Sequence, residues 1–474
     1  MLQLKPIVHQ TIKEFLEKEE HLHSYIEQYG SPLNILFPEH IKDSIRSFSD
    51  VFKKYAIQGR VYYAHKPNKS QALIQQAAFE KIFLDVASET ELKNALSNGF
   101  TGDRLEATGP KNEQFLILAL QHGVLISVDN MDELCDIVRL RGLLALSKPA
   151  NILLRLCGFN MAPLVKDTRF GISLNQLPEV LAFCKQEQGL CNVSGFSFHL
   201  DTSSIEEKVQ ALAVCVKLVQ QTREHGFNTN ILNIGGGFRV NFLENESEWN
   251  AYMAALKESV VLDSESLSWN NTGLGFRKEQ GKLRGDFQFY DYYVPEAQGA
   301  YLDKLLSQRF LEDESFSLGA ALSELMIDLY IEPGRAMLNQ TGITMAKVSF
   351  IKESARGELL VGLDMNKTNL NSHEQEMMVD PIIISKHKKS NNRGVYFVGN
   401  LCLESDFIYK HKTFPAFLPE KGDLVVFINT AAYNMDFFES HTLQQRIAKK
   451  IVAKKGTSGF NIFLDELYNP YLTV

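Results

Sequence analysis

Between Val61 and Ile331 the chain alternates eight short apolar or β-branched runs with longer segments of helical periodicity, and this alternation constrains the fold more than any other feature. The runs are Val61–Lys66, Ile82–Ser88, Arg104–Thr108, Val124–Asn130, Asn151–Leu156, Val193–Leu200, Ile231–Gly235 and Leu325–Ile331. The segments between them, among them Ser70–Lys81, Glu89–Gly99, Asn112–Gly123 and Ser204–Gly226, carry apolar residues at helical spacing and often end in glycine, a common helix stop. Such a succession of strand-helix units predicts an α/β fold, a closed parallel (β/α)8 barrel of the TIM type. A doubly wound open sheet would show the same alternation.

In a barrel, the C-terminal ends of the strands and the loops beyond them build the active site. The chemically suggestive residues fall there. Lys66 ends the first run, Asp85 lies late in the second, Arg155 ends the fifth and His199 the sixth; Gly235, Gly236 and Gly237 close the seventh, and Glu332 follows the eighth. Random placement would scatter them along strands and helices alike. Lys66 sits before Pro67, where a strand stops and a loop starts. A lysine there can form a Schiff base with an aldehyde if partial desolvation lowers its pKa; the plain alternative is a solvated surface lysine. Consecutive glycines let the backbone approach a phosphate and offer it N–H groups, or else make a flexible turn. Glu332 can keep a pyridine nitrogen protonated, and Arg335 can grip a phosphate or a substrate carboxylate through a forked contact, unless the two form a structural ion pair at the rim. His199 is either a satisfied core histidine or a flat ring stacked on a cofactor. Amine, phosphate cradle and carboxylate together are the groups needed to hold and use pyridoxal 5'-phosphate.

These motifs resemble the alanine racemase-like, fold-type III pyridoxal-phosphate enzymes, and within them the diaminopimelate, ornithine and arginine decarboxylase group. The resemblance runs from Tyr29-Gly-Ser-Pro-Leu33 to about Phe437. It implies that Lys66, in Tyr63-Ala-His-Lys66, carries the cofactor and that Asp85, in Asp85-Val-Ala-Ser88, lies near the cofactor amine, with Glu91-Leu92 continuing the pattern. It further implies that Arg155 lies beside the ring, His199 stacks on it, Gly235 to Gly237 bind phosphate and Glu332 meets the pyridine nitrogen. Thr168-Arg-Phe-Gly171 resembles another element of the family. Gly399-Asn-Leu-Cys402, followed by Asp406, resembles the segment whose cysteine reaches the cofactor of the other subunit, which implies a homodimer with Cys402 as proton donor in trans. Gly422-Asp423 and Ala431-Ala-Tyr433 match the element whose tyrosine contacts the cofactor phosphate. By this resemblance residues 38–335 form the barrel, and residues 1–37 join 336–474 in a β-sheet domain that includes the N-terminal strand.

The sequence also departs from that pattern. Leu403 stands where an acidic residue is normal, with Glu404 displaced by one position. The segment His199-Leu-Asp-Thr202 lacks a glycine of the family, His65 replaces an aliphatic residue, and Asn366 replaces a glycine after Asp364. An insertion at about 241–324 contains Trp249, Trp269-Asn-Asn-Thr-Gly-Leu-Gly275 and the aromatic run Phe287-Gln-Phe-Tyr-Asp-Tyr-Tyr293. Insertions on the active-site face act as lids or specificity elements, or as decoration and dimer contact. Its aromatic and amide content suggests packing over something sizeable, and the expected substrate is an amino acid or a larger conjugate with a free α-amino-acid end. The expected reaction is decarboxylation through a Lys66 Schiff base, with Cys402 returning a proton to the carbanion. An amino-acid racemase and a non-catalytic, cofactor-carrying regulatory homologue are the alternatives.

A net charge of −8 without a basic tract argues against nucleic acid as a partner. Lys386-His-Lys-Lys389 and Lys449-Lys-Ile-Val-Ala-Lys-Lys455 read as solvated charge runs. No apolar stretch is long enough to cross a bilayer, no signal peptide is evident, and six irregularly spaced cysteines fit reduced thiols and no zinc pattern. The expectation is a cytoplasmic protein without metal or membrane.

Overall fold

A computed structural model describes residues 2–472 apart from 162–163, 167, 203, 263–264, 311–312 and 371–375. Eight parallel strands form the barrel: β1 (Gly59–Ala64), β2 (Phe83–Val86), β3 (Leu105–Ala107), β4 (Leu125–Val128), β5 (Ala150–Cys157), β6 (Cys191–Ser197), β7 (Ile231–Asn233) and β8 (Asp328–Ile331). Each pairs with the next, β8 pairs with β1, and the pairing of Cys191–Ser197 with Ala150–Arg155 completes the ring. The sheet is therefore closed, and the open alternative falls. Helices following β1 to β4 and β6 open on Ser70, Ser88, Asn112, Asn130 and Ser204, each accepting a hydrogen bond from a first-turn N–H. Such a cap is worth about 1 kcal/mol and fixes where each strand-to-helix loop ends.

Alternation along the strands gives the barrel interior two layers. Lower down, Tyr62, Leu153, Ile231 and Tyr330 pack with Phe83 and Leu125. Two residues further along β2, β4, β5, β7 and β8 the same inward rows reach Asp85, Ser127, Arg155, Asn233 and Glu332, and Glu106 is the central residue of β3. The outward residues of β3, Leu105 and Ala107, enter the main apolar core beneath the helices. The interior thus changes from apolar to ionisable toward the end where the site lies.

The second sheet is mixed and has eight strands. Leu33–Leu36 lies antiparallel to Gly342–Glu353 and parallel to Lys449–Lys455, and Leu359–Leu363, Val395–Val398 and Leu424–Ile428 are further strands of the same sheet. The N-terminal segment is more than a strand: helices Gln10–Leu16 and Glu19–Tyr29 precede it. Their Ile12, Phe15, Leu22 and Ile26 pack against Leu33, Ile343, Val426 and Ile451 of the sheet. No helix among the described residues is long and apolar enough to cross a membrane.

Between β7 and β8 the chain forms helix Glu246–Leu262, a hairpin of Arg277–Glu279 and Lys282–Arg284, and helices Gln298–Leu306 and Leu318–Glu324. Its middle ties the barrel to the second sheet. Ser268 bridges His411, Trp269 lies 4.6 Å from the Phe407 ring and 5.3 Å from that of Tyr396, and the Tyr252 hydroxyl donates to Lys412 O at 2.7 Å. Trp249 packs on Phe287 and Tyr292. The aromatic content expected to cover a large ligand is mostly committed to these contacts.

Candidate active site at the barrel mouth

Lys66 follows β1 by two residues, and its side chain is exposed at the barrel mouth. Burial opposes its charge, but Tyr433, Asp85 and Glu332 outweigh burial and raise the amine above its ordinary value. This reverses the expectation of a lowered lysine: nearby acids, rather than desolvation, set its state. Asp85 accepts a 2.5 Å hydrogen bond from Thr108 Oγ1 and is raised by burial and by Glu332. Glu332 is also raised, chiefly by burial, while Lys66 and Arg155 draw it down.

A third acid, Glu106, completes the cluster. Asn233 Nδ2 donates to Glu106 Oε2 at 2.8 Å and to Glu332 Oε1 at 2.6 Å, so one amide orients both carboxyls. Glu106 is wholly buried and held well above its usual 4.5 by burial, Glu332 and Asp85. The folded protein therefore keeps a proton that the unfolded chain has lost above that value. Stability contributed by this group is present below pH 4.5 and declines as pH rises toward the raised folded value, at roughly 1.4 kcal/mol per unit. Glu106→Gln is expected to flatten the fall in stability of the cofactor-free protein above pH 5, read from urea midpoints; an unaltered pH dependence would mean that Glu106 ionises in the fold.

The glycine turn follows β7. Gly235 N–H donates to Asn233 Oδ1 at 2.9 Å and Gly236 N–H to His199 Nδ1 at 3.1 Å, whereas Gly237 N–H has no partner among the described residues. A Cβ on Gly236 would stand 2.7 Å from Glu332 O, so only glycine fits that approach. His199 is lowered to about 3 by burial, Lys66, Lys208 and Arg155, and is a neutral ring whose Nδ1 accepts. Arg155 stands 3.7 Å from Asp129 and 4.5 Å over Phe170, within the Thr168–Gly171 element. His65, behind Lys66, is buried 3.5 Å from Glu91.

Residues from late in the chain hold the loop after Lys66. Tyr433 N–H donates to Pro67 O at 2.9 Å, Asn68 Nδ2 to Ala431 O at 2.7 Å, and Lys69 N–H to Asp436 at 2.8 Å. Asp465 accepts from Ser70 Oγ at 2.5 Å and from the N–H groups of Gln71 and Ala72. Tyr433 has φ 69°, a left-handed conformation uncommon for a side chain of this size. Its ring lies 5.1 Å from the Arg335 guanidinium, and Tyr290 of the insertion stands 5.0 Å from the same guanidinium.

Lys66, Asp85, Arg155, His199, Gly235 to Gly237, Glu332, Arg335 and Tyr433 thus gather around one mouth. Among the described residues no contact joins Cys402 to them; it is exposed on a tight loop in which Asp406 accepts from Leu401 N–H at 2.8 Å. Sequence reasoning missed Glu106, Asn233, Thr108 and Lys208. The only signal for Glu106 is an acid at the centre of an apolar run, and for Asn233 its place just before the glycines.

A parallel barrel carrying an amine among carboxyls at its mouth, joined to a mixed sheet, is the frame of a barrel enzyme. Residues 39–267 match the family described as pyridoxal-dependent decarboxylase, pyridoxal binding domain. The chain is 29% identical over 445 residues to an uncharacterized protein of Sinorhizobium fredii, covering 92% of this chain and 91% of the other. It is 21% identical over 439 residues to a diaminopimelate decarboxylase of Staphylococcus aureus, covering 90% and 89%. The crystal structure of a diaminopimelate decarboxylase from M. jannaschii, in complex with L-lysine, superposes with a TM-score of 0.70 over 94% of this chain and 91% of that one, at 18% identity. Residues 39–267 thus match the pyridoxal-binding domain of the pyridoxal-dependent decarboxylases, and the chain as a whole shares the fold of the M. jannaschii structure. Its own residues fit that cofactor: a free N–H in a turn that admits no Cβ, an amine, and acids in reach of it.

Proposed function

We propose that this protein removes the α-carboxylate of an amino acid, or of a conjugate ending in one, using pyridoxal phosphate held at the barrel mouth. The observation that carries this reading is one lysine amine set among Asp85, Glu332 and Tyr433 at the strand ends. The cofactor, when bound, supplies an electron sink. Lys66 provides the amine that fastens it, Glu332 holds a proton at the pyridine nitrogen, and Asn233 and Glu106 fix where that carboxyl points. Gly237 N–H and Tyr433 would hold the phosphate, Asp85 lies near the Lys66 amine, and His199, neutral because of burial, would support the ring. Arg155 keeps positive charge beside the acids, and Arg335 receives the substrate carboxylate or the phosphate.

Cys402 returns a proton to the α-carbon. Its exposure on a braced loop, with Leu403 also exposed, supports delivery to the site of a second copy, hence a homodimer with shared sites. Leu403 offers no charge for a distal amine. Because the tryptophans of the insertion pack inward, a larger substrate rests on Tyr290, which is 45% exposed beside Arg335. The described residues 241–324 otherwise act as a brace between barrel and second sheet. All six cysteines are free, in keeping with a reducing, cytoplasmic setting.

The test is carbon dioxide release from a panel of free and conjugated amino acids by purified protein supplied with pyridoxal phosphate. Release from one class is expected and names it. Cofactor binding with α-proton exchange and no release would instead make the protein a racemase, and binding with neither would favour the regulatory alternative.

A further inference from the structure

Behind the glycine turn lies a charge that none of the roles above uses. Lys208, on helix Ile205–Glu224, is 1% exposed, and its Nζ donates to Gly236 O at 2.8 Å. The rings of Phe238 and Tyr301 stand 5.1 and 5.3 Å from the ammonium, and no carboxylate pairs with it among the described residues. Burial lowers this amine to about 8, with no neighbouring acid to offset the effect. The other buried lysine near the barrel mouth, Lys111, contrasts with it by bonding Glu133 at 2.8 Å. A buried ammonium without a counter-charge is costly, so its retention calls for an anion.

The geometry points to where that anion sits. Gly236 O, which Lys208 binds, and Gly237 N–H, which is free, belong to the same trans peptide and point to opposite sides of it. A cation donating to the carbonyl polarises the peptide and strengthens its N–H as a donor on the far face. Gly237 adopts φ 82°, and a Cβ there would lie 3.2 Å from Lys208 Nζ, so the glycine both permits the turn and admits the ammonium. We propose that Lys208 is the buried counter-cation of the phosphate seat, a positioning residue that acts on a bound phosphate through the Gly236–Gly237 peptide. Its partner is the phosphate dianion of the cofactor rather than the ring or the amino acid. In this chain it supplies positive charge beside the segment His199-Leu-Asp-Thr202, which lacks a glycine of the family pattern.

This inference rests on reading Gly235 to Gly237 as the phosphate seat, and the experiment separates the two. Cofactor is stripped from the purified protein, and pyridoxal phosphate and pyridoxal are titrated in turn by absorbance of the lysine-bound chromophore. Lys208→Met, which keeps an unbranched buried side chain without charge, is compared with wild type and with Lys208→Arg. Lys208→Met is expected to weaken pyridoxal phosphate roughly 10- to 100-fold while leaving pyridoxal unchanged, with Lys208→Arg retaining most of the preference for the phosphate ester. An unaltered preference in Lys208→Met, or equal weakening of both ligands, overturns the assignment of Lys208. A wild-type protein that does not prefer pyridoxal phosphate over pyridoxal overturns the seat itself. If Lys208→Met does not fold, Lys208→Gln, which keeps a donor for Gly236 O but no charge, makes the same comparison.

Discussion

Replacing Lys66 by alanine is expected to abolish carbon dioxide release and the borohydride-reducible bond to pyridoxal phosphate together, with a thermal midpoint close to that of wild type. The side chain is exposed and makes no hydrogen bond among the described residues, so its loss opens no cavity. What disappears is the amine set among Asp85, Glu332 and Tyr433. A loss of roughly 10³-fold or more in turnover is the scale for removing a covalent catalytic group. The alternative amines are poorly placed: Lys111 is fully buried against Glu133, and Lys208 is committed to Gly236 O. A reducible bond that survives in Lys66→Ala would move the cofactor elsewhere and undo the whole assignment of the site.

Gly195→Ala is expected to lower stability by about 3 kcal/mol or more, the upper range for forced overpacking, without touching any residue of the site. Gly195 lies on β6 opposite Ile231 of β7, and an added Cβ would stand 1.9 Å from Ile231 O and 2.7 Å from its carbonyl carbon. Both are backbone atoms inside the ring of strands, so no side chain can swing aside. The pairing of β6 with β5 already slips in register between Val193 and Gly195, which leaves little slack where the barrel closes. Gly142→Ala is the control: it lies on helix Met131–Leu143 with nothing within 4 Å, and a neutral or slightly raised midpoint is expected there. Chemical unfolding of the two variants beside wild type makes the comparison. Equal midpoints for Gly195→Ala and wild type would show that β7 can shift at Ile231.

Both layers of the barrel interior explain why the fold was legible from the chain and part of the site was not. Strand runs alternate with capped helical segments, so backbone pattern alone announces the barrel, and strand ends announce Lys66, His199 and Glu332. Glu106 and Asn233 are different. Each occupies a central or final strand position that reads as core, and only closure of the ring brings Asn233 within 2.6 Å of Glu332 and 2.8 Å of Glu106. Lys208 sits on a long helix among residues of ordinary helical spacing, and nothing in that spacing says it points beneath a turn 28 positions later. The insertion misled in the opposite sense. Aromatic composition marks a segment that buries large area but does not say against what, and Trp269 found Phe407 and Tyr396 rather than a ligand.

The clamp on the loop after Lys66 has a temporal meaning. Proteins emerge from the ribosome N-terminus first, and the lysine is made early. The groups that hold its loop, Ala431, Asp436 and Asp465, follow their partners by 363, 367 and 395 positions. During synthesis the eight strands can therefore be present while the lysine's own loop is still unanchored. The loop that carries Lys66 is completed only by residues from this later part of the chain, so on the proposed function a nascent chain lacks the finished amine site until they have been made.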